Sequence, residues 1–413
     1  MFQPVRIALI GAGQRAWTIY RPLFSSLKPW IEVVAVCDTR QEHADRMAGA
    51  LGARAYTDIR ALVRDRPMEA ALVITPVDSH YAISVYLSLN GIHNLTETSW
   101  CRTVAQGKRM TEAAKEMGVV ARVGENFFRF PVDRIVQAIC RSGFIGPIHR
   151  IISYADHTGY HNNSRWTFFA KAHPLWVQGL QHAAPTVHFT STPQRRHTSE
   201  NYRWRTFMFP DNFMVVDHAA NIKGFLGRHG RPGYTEWQGE AGTIVWKSTE
   251  PWEGRGEVWF LRAEDRNHVD EEVDHTHPLQ CYPIVEEYEG KNWTRSYVDL
   301  PIGRVEYVNP FRPDHPSEHR SSWYGAPVMD HLVGYSQIIR GVAEIDFTPD
   351  DALMSLMMDI GADISAENEG KRVGLPLKDE IEGDEIVNRQ LRETYGVDPM
   401  DWDAMLSYSY PKH

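Results

Sequence analysis

A strand-length apolar run, Val5–Ile10, leads directly into the segment Gly11-Ala12-Gly13-Gln14-Arg15-Ala16. The segment fits the pattern G-x-G-x-x-A, in which the first glycine permits a tight turn and the second lets the backbone approach a pyrophosphate. A small third residue allows helix and strand to pack closely, and N–H groups at the helix start can bind the anion. The second strand-length run ends in Asp38, at the distance expected for a carboxylate that binds ribose hydroxyls. The sequence therefore predicts a dinucleotide site.

Strand-length runs and helix-period segments alternate over residues 1–125. This alternation is typical of βαβ units and a parallel sheet, so we assign residues 1–125 to a Rossmann domain. We expect Asp58 and Thr103 to be helix N-caps, and Pro22 to kink the first helix or delay its start. The predicted strands are Val5–Ile10, Val33–Cys37, Ala70–Ile74 and Val119–Val123, and the predicted helices are Gln41–Leu51, Asp58–Asp65, His80–Leu89 and Thr103–Met117.

The pattern changes after Phe130-Pro131. A helix is predicted over Val132–Arg141, and antiparallel strands are predicted from Ile148 onward. We assign residues 126–376 to a second, α+β domain and residues 377–413 to a C-terminal extension that packs on the surface or on a partner subunit. The later strands are predicted over Arg150–Tyr154, Phe213–Ala219, Tyr234–Trp237 and Thr243–Trp246, and the later helices over Pro327–Arg340 and Asp350–Asn368.

Charge and composition exclude several classes of function. The formal net charge is −9, with no basic cluster, which argues against nucleic acid or an anionic membrane as partner. We find no apolar run of membrane-spanning length and no secretory leader, and the four cysteines are far apart, so we expect a cytoplasmic protein without disulfides. The His- and acid-rich stretches 268–277 and 314–319 match no metal signature, so we interpret them as solvated loops and expect no metal.

Asp38 favours NAD over NADP, because a carboxylate repels a 2′-phosphate, although Arg40 could partly offset that repulsion. The segment Thr75-Pro76-Val77-Asp78-Ser79-His80 follows a predicted parallel strand. Its loop leaves the carboxyl end of that strand, where ligands of such sheets bind. It can also be simply a turn before a helix, and both interpretations can hold together.

These residues resemble the glucose-fructose oxidoreductase / inositol dehydrogenase / MocA (Gfo/Idh/MocA) family. The resemblance rests on the glycine segment at 11–16, Asp38, the loop at 75–80, Glu97 after a short strand, and Gly124–Pro131. It implies a Rossmann domain followed by an open, mostly antiparallel sheet that supplies the substrate pocket and oligomer contacts, and it implies a homo-oligomer, most simply a dimer or tetramer. The cofactor contacts expected from the motifs and the resemblance are Gly11, Gly13, Gln14, Arg15, Ala16, Asp38, Thr75, Pro76, His80, Glu97 and Asn126.

The chain differs from this family in the residues expected to carry out catalysis. Typical members carry Glu-Lys-Pro where this chain has Glu97-Thr98-Ser99, and an Asp-x-Gly-x-His motif whose best match here is Gln178–His182. Because threonine and glutamine do not titrate near neutral pH, we expect His182 to be the catalytic base, with Tyr160 or His161 as helpers.

A polar, aromatic and histidine-rich stretch precedes His182. Such a composition suits a sugar pocket, in which hydroxyls need donors and acceptors and C–H faces need flat rings. A solvent-exposed loop would have the same composition. The substrate contacts expected from this stretch and its neighbours are Thr98, His157, Arg165, Trp166, Gln178 and His218.

Three functions are compatible with these patterns. The first is an NAD-dependent oxidoreductase that moves hydride to or from a carbon of a sugar, glycoside or polyol. The second is an NAD-retaining lyase or glycosidase that oxidises its substrate transiently, which resembles the family's α-N-acetylgalactosaminidases at Glu97, Tyr160-His161 and His182–Pro185. The third is a non-catalytic sensor that binds NAD and a sugar.

Overall fold

The computed structural model describes residues 3–155, 159–192, 195–220, 233–250, 253–260, 280–311, 322–378, 382–408 and 410. The chain divides into two compact units. Unit 1 comprises Met1–Phe127, Phe311–Met357 and Lys378–His413, and unit 2 comprises Phe128–Pro310 and Met358–Leu377. The division differs from the sequence-based limits, because the later segments of unit 1 pack on the first: Arg340 forms an ion pair with Glu69, and Asp384 accepts hydrogen bonds from the start of a helix at Val104.

Unit 1 is built on a six-stranded sheet with the order β3-β2-β1-β4-β5-β6, and all neighbouring strands are parallel. The strand order reverses between β1 and β4, so the carboxyl ends of these strands border the crevice where such sheets bind ligands. The predicted Rossmann fold is confirmed. The strands are β1 (Val5–Ile10), β2 (Ile31–Cys37), β3 (Arg54–Tyr56), β4 (Ala70–Val73), β5 (His93–Thr96) and β6 (Ala121–Val123).

The first helix is broken, as Pro22 predicts. A π-helical turn over Ala16–Tyr20 passes into a 3₁₀ turn, Arg21–Leu23, and then into α1 (Phe24–Leu27). Proline lacks an N–H group and its ring crowds the preceding turn, so a regular α-helix cannot continue through this position.

The remaining helices of unit 1 pack against its sheet or against other segments of the unit. The side chain of Asp58 accepts a hydrogen bond from the N–H of Arg60, and Thr103 accepts one from Gln106, so both predicted N-caps are confirmed. The helices are α2 (Gln41–Leu51), α3 (Ile59–Asp65), α4 (His80–Leu89), α5 (Val104–Met117), α8 (Ser322–Ile339), α10 (Glu382–Tyr395) and α11 (Trp402–Leu406), with α9 (Pro349–Glu367) divided between the units after Met357.

Unit 2 contains a nine-stranded sheet with the order β14-β13-β12-β11-β7-β10-β9-β8-β18 among the described residues. Its pairs are antiparallel except β7 and β10, which run parallel. A separate sheet has the order β15-β16-β17. The elements are α6 (Pro131–Ser142), β7 (Ile148–Ala155), α7 (Gly159–Ala170), β8 (Trp176–Thr192), β9 (Arg195–Met208), β10 (Met214–Ala220), β11 (Gly233–Gly239), β12 (Gly242–Glu250), β13 (Glu253–Phe260), β14 (Gln280–Pro283), β15 (Val285–Glu289), β16 (Asn292–Leu300), β17 (Gly303–Val308) and β18 (Val373–Gly374).

The two faces of the nine-stranded sheet differ in burial. One face, which we call the helix face, is buried and packs against α7 and α9: the indole N–H of Trp166 donates to Asp217, and Gly179 lies against the backbone of Ala362. The opposite face, which we call the open face, includes Leu180 and Tyr234, whose exposed fractions are 49% and 37%. Cross-strand pairing places Leu180, Trp204, His218, Tyr154 and Tyr234 in one row across this open face.

No helix in the described part of the chain is both long and apolar enough to cross a membrane.

Candidate cofactor and catalytic site

Gly11 makes the turn that follows β1. Its φ is +92°, and a Cβ atom there would lie 2.3 Å from the carbonyl oxygen of Ile74. Both observations require glycine, because other residues disfavour this φ and no backbone can yield that much space. The turn therefore holds the glycine loop directly against the loop that begins at Thr75.

Gly13, in contrast, lies beside open space. A Cβ atom at Gly13 would have no protein atom within 4 Å. The N–H groups of Gly13, Gln14 and Arg15 have no hydrogen-bond partner among the described residues, whereas the N–H of Trp17 donates to the carbonyl of Gly13. Open space beside several unpaired N–H groups at a helix start is what a pyrophosphate requires.

Asp38 lies at the carboxyl end of β2 and is buried. One carboxylate oxygen accepts from the N–H of Ala12 at 2.9 Å, and the other accepts from the N–H of Arg40 at 3.0 Å. These bonds fix the carboxylate beside the glycine loop, where it can accept hydrogen bonds from ribose hydroxyls. The Arg40 Nε atom is 3.4 Å from the same carboxylate.

Glu97, at the end of β5, is the centre of a buried polar network. Its Oε1 atom accepts from Arg15 Nε and from the Tyr20 hydroxyl, both at 2.7 Å, while Oε2 accepts from the N–H of Thr98 at 3.0 Å and its hydroxyl at 3.3 Å. Arg15 also donates to the Tyr324 hydroxyl at 2.7 Å. A carboxylate offers about four acceptor sites. Glu97 accepts four hydrogen bonds, from Arg15, from Tyr20 and from the N–H and hydroxyl of Thr98.

Opposing effects set the pKa of Glu97. Burial alone would raise it, but attraction to Arg15 and the hydrogen bonds from Tyr20, Arg15 and Thr98 outweigh burial and lower the pKa to about 2. Burial would lower the pKa of Arg15, but Glu97 raises it well above its ordinary value. The pair is therefore charged at neutral pH, and Arg15 cannot act as a base.

His80 connects two loops at this edge of the sheet. It is 1% exposed, with Nδ1 at 2.8 Å from the Ser99 carbonyl oxygen and Nε2 at 2.9 Å from the Thr75 carbonyl oxygen. Burial lowers its pKa, although the hydrogen bonds to Ser99 and Thr75 act in the opposite sense. In this structure His80 therefore positions the loops after β4 and β5, while Thr75, Pro76 and Val77 are partly exposed in the first loop.

Asn126 follows β6 and is 3% exposed. Its side-chain nitrogen is buried without a hydrogen-bond partner among the described residues, a state that is costly unless a partner arrives. Together with Asp38 and the N–H groups from Gly13 to Arg15, this donor fits a nicotinamide dinucleotide along the carboxyl edge of the sheet.

Arg165 and Trp166 lie in the core of unit 2. Arg165 is 2% exposed and forms two hydrogen bonds with Asp133, at 2.7 and 2.9 Å. Trp166 is fully buried, and Asp217 accepts from its indole N–H at 2.8 Å and from Arg205 Nε at 2.8 Å. These contacts give Arg165 and Trp166 a structural role, since a substrate contact would require breaking them. Composition could not distinguish a buried ionic core from a polar pocket.

The structure does not bring the expected catalytic residues together. Residues 178–182 lie on strand β8, not at a helix start, and His182 is exposed on the open face opposite Tyr202. Tyr160 and His161 belong to α7, which packs on the helix face, with their rings 5.6 Å apart. His182 is therefore on the other side of the sheet from its proposed helpers.

Three further residues were expected to contact the substrate: His218, Gln178 and His157. His218 lies on the open face, where its Nδ1 atom is bonded to the hydroxyl of Tyr202 and burial lowers its pKa. Gln178 donates to the carbonyl of Gly370 at 2.6 Å. His157 lies outside the described residues, as do the stretches 268–277 and 314–319.

Sequence reasoning missed Tyr20 and Tyr324, which hold the Arg15–Glu97 pair. No local pattern identifies them, because the Arg15–Tyr324 contact joins residues 309 positions apart.

A model of the oxidoreductase family with an NAD-binding Rossmann fold, Gfo/Idh/MocA, matches residues 5–125. The D-glucoside 3-dehydrogenase of Escherichia coli is 30% identical over 148 residues, which are 35% of this chain and 42% of that protein. The scyllo-inositol 2-dehydrogenase (NAD(+)) of Bacillus subtilis is 26% identical over 125 residues, which are 30% of this chain and 36% of that protein. The chain thus matches less than half the length of these curated relatives.

Solved structures are similar over most of the chain. A levoglucosan dehydrogenase in complex with NADH and levoglucosan has a TM-score of 0.64 at 16% identity, covering 91% of this chain and 100% of that chain. The WlbA dehydrogenase from Bordetella pertussis, in complex with NADH and UDP-GlcNAcA, has a TM-score of 0.62 at 16% identity, covering 91% and 99%. At these identities the similarity establishes the two-part fold.

Proposed function

We propose that the chain is an NAD-dependent enzyme that moves hydride to or from a carbon of a sugar, glycoside or polyol. The model of the Gfo/Idh/MocA oxidoreductase family, whose Rossmann fold binds NAD, matches residues 5–125 and supports this proposal. The observation that carries the proposal is the row of unpaired N–H groups at Gly13, Gln14 and Arg15 beside open space. These donors suit the diphosphate, and the buried carboxylate of Asp38 suits the unphosphorylated ribose of NAD rather than NADP. When bound, the nicotinamide ring supplies the hydride acceptor or donor.

Support for a carbohydrate substrate comes from the relatives, whose names specify a glucoside, an inositol and levoglucosan. An alcohol oxidation needs a group that removes the hydroxyl proton. In this chain we assign that task to the imidazole of His161, beside Tyr160, rather than to His182. The position of α7 supports this assignment. Arg205 donates to the Gly159 carbonyl at 3.1 Å and also to Asp217, and the two contacts fix the first turn of α7 to the sheet.

We also propose that the protein is a homo-oligomer formed through the open face of unit 2. Leu180 and Tyr234 are large apolar side chains exposed on the same row of that face, and contiguous apolar surface is seldom left in water. A second copy of the face would bury this row through a closed, two-fold contact.

The test is a two-channel assay with the full chain and NAD. D-Glucosides, scyllo-inositol, levoglucosan and p-nitrophenyl glycosides are incubated with the protein, and NADH absorbance and product release are followed together. We expect NADH in proportion to oxidised product. Product without net NADH, accompanied by exchange of a substrate C–H with deuterated water, would instead identify the lyase or glycosidase, and NAD binding without any turnover would identify the sensor.

A further inference from the structure

The C-terminal segment 382–408 packs against α4 and α5 of unit 1. The hydroxyl of Tyr81 on α4 donates to the Met400 carbonyl at 2.8 Å, and Tyr86 stacks on Trp402 with ring centroids 5.9 Å apart. The side chain of Gln106 on α5 donates to the Pro399 carbonyl at 3.3 Å. We call residues 382–408 the brace. Nothing in the cofactor motifs requires such a segment.

The last residue of α10, within the brace, is hydrogen-bonded to the loop after β4. The hydroxyl of Tyr395 donates to Asp78 Oδ2 at 2.8 Å, and Asp78 is 6% exposed. Asp78 belongs to the turn Val77–Ser79, and the hydroxyl of Ser79 donates to that of Thr75 at 2.7 Å. Thr75 in turn lies against Gly11. A chain of short contacts therefore joins Tyr395 to the glycine loop.

A second contact reaches the loop after β5. The carboxylate of Asp384 accepts from the N–H groups of Val104 and Ala105, both at 3.0 Å, while Thr103 caps Gln106. Asp384 thus completes the N-terminal cap of α5 and places a negative charge where the helix dipole favours it. It fixes the point at which the loop from Glu97 enters α5.

The two braced loops leave adjacent strands on one half of the sheet. The strands β4 and β5 lie beyond the switch point, and β2, which carries Asp38, lies on the other side of β1. A dinucleotide bound across the carboxyl edge would have its adenosine near Asp38 and its nicotinamide half near the loops after β4 and β5. The hydrogen bonds of Tyr395 and Asp384 therefore hold the loops that would border the nicotinamide half.

We propose that the brace, through Tyr395 and Asp384, positions the two loops that bind the nicotinamide half of the cofactor, so that both residues set affinity for NAD without touching it. The inference rests on the proposed NAD-dependent function. It differs from a role in stability alone because it predicts a selective effect. Affinity for the whole dinucleotide should fall, and affinity for AMP, which occupies only the adenosine half, should not.

The experiment titrates NAD and AMP calorimetrically into the full-length protein and into Tyr395→Phe and Asp384→Asn. The control is Asp403→Asn, which removes an exposed carboxylate paired with Arg60 from the same segment. In each test variant we expect NAD affinity to fall about tenfold, the size of one lost hydrogen bond to a charged group, with AMP affinity within about twofold. Hydrogen exchange should become faster at residues 75–80 and 98–106 in the two test variants only.

Equal losses for NAD and AMP, or unchanged affinity for both, would overturn the inference even if the melting temperature fell. If Asp384→Asn does not fold, Tyr395→Phe decides alone, since it removes a single oxygen atom. Failure of the wild-type protein to bind NAD would count against the proposed function itself. Normal NAD binding in both variants would count only against the proposed role of the brace in cofactor binding.

Discussion

Arg15 Nε lies 2.7 Å from Glu97 Oε1, although the two residues are 82 positions apart in the chain. The contact joins the glycine loop to the end of β5 and places a permanently charged guanidinium on the carboxylate that also binds Thr98. In the resemblance to the Gfo/Idh/MocA family, Thr98 corresponds to a position at which we expect typical members to have a lysine. A cation is therefore retained next to Glu97, but it comes from the glycine loop and cannot exchange a proton at neutral pH.

Lowering the pH should show how much the Arg15–Glu97 ion pair contributes to the free energy of unfolding. The pKa of Glu97 in the folded protein is about 2, below the ordinary value of about 4.3. A depressed carboxyl pKa contributes stability that is fully present above the unfolded value and is lost as the pH falls through the folded value. Between about pH 4.3 and 2, Glu97 should therefore contribute up to about 1.4 kcal/mol per pH unit to the loss of unfolding free energy.

Urea unfolding of the wild type and Glu97→Gln over this pH range measures that contribution. The variant should be less stable at pH 7, because Arg15 loses its partner, yet less sensitive to acid. Glu32→Gln, which removes an exposed carboxylate from β2, is the control and should keep the wild-type pH dependence. Parallel curves for Glu97→Gln and wild type would contradict the assigned pKa.

Replacement by alanine should affect stability at Gly11 and NAD affinity at Gly13. Gly11→Ala should destabilise the fold by several kcal/mol, about 3 or more, because its Cβ would overlap the carbonyl of Ile74 at an unfavourable φ. Gly13→Ala should fold normally, since the protein leaves open space there, and should bind NAD about tenfold more weakly, because the methyl group occupies space meant for the diphosphate. Melting curves and NAD titrations separate the two effects, and full NAD affinity in Gly13→Val would remove the basis of the site.

Periodicity and glycine placement predicted four of the six strands of unit 1 and the caps at Asp58 and Thr103, because these depend on residues close in sequence. Strands β3 and β5, of three and four residues, are too short to show a period. The Arg15–Glu97 pair and the bond from Tyr395 to Asp78 join distant segments, and a single sequence carries no signal for them. Residues 178–182 lie on strand β8 and not at a helix start, because agreement with a short motif carries no information about secondary structure.

Asp38 should determine which dinucleotide binds. Its carboxylate lies at the end of β2, held by the N–H groups of Ala12 and Arg40. Asp38→Ala should weaken NAD by about tenfold or more, as expected for a lost pair of charge-assisted hydrogen bonds, and should bring NADP closer to NAD because the repulsion disappears. Titration with both dinucleotides measures the ratio. An unchanged NAD to NADP ratio would assign selectivity to another residue.

The open face should control assembly. Leu180→Glu places a charge at one end of the exposed row. We expect the wild type to be an oligomer at micromolar concentration and the variant to be a monomer, with NAD affinity retained by unit 1. Leu175→Glu, also at an exposed leucine but outside the row, is the control. Light scattering coupled to size-exclusion chromatography gives the mass. A wild-type monomer at micromolar concentration, or an intact oligomer in Leu180→Glu, would refute assembly through this row.

Two histidines on opposite sides of one sheet, His161 and His182, are the candidates for the general base. His161 lies on α7 against Tyr160, with the helix start held by Arg205, whereas His182 is exposed on β8 opposite Tyr202. His161→Ala should reduce turnover by about 10²–10⁴-fold, the usual loss for a general base, with NAD affinity unchanged. His161→Gln keeps the polarity and should not restore the rate, which separates proton transfer from packing. His182→Ala should retain turnover within about threefold, a range typical of residues remote from the chemistry. The reverse pattern, with loss in His182→Ala and near-normal turnover in His161→Ala, would return the base to His182 and place the reaction on the open face.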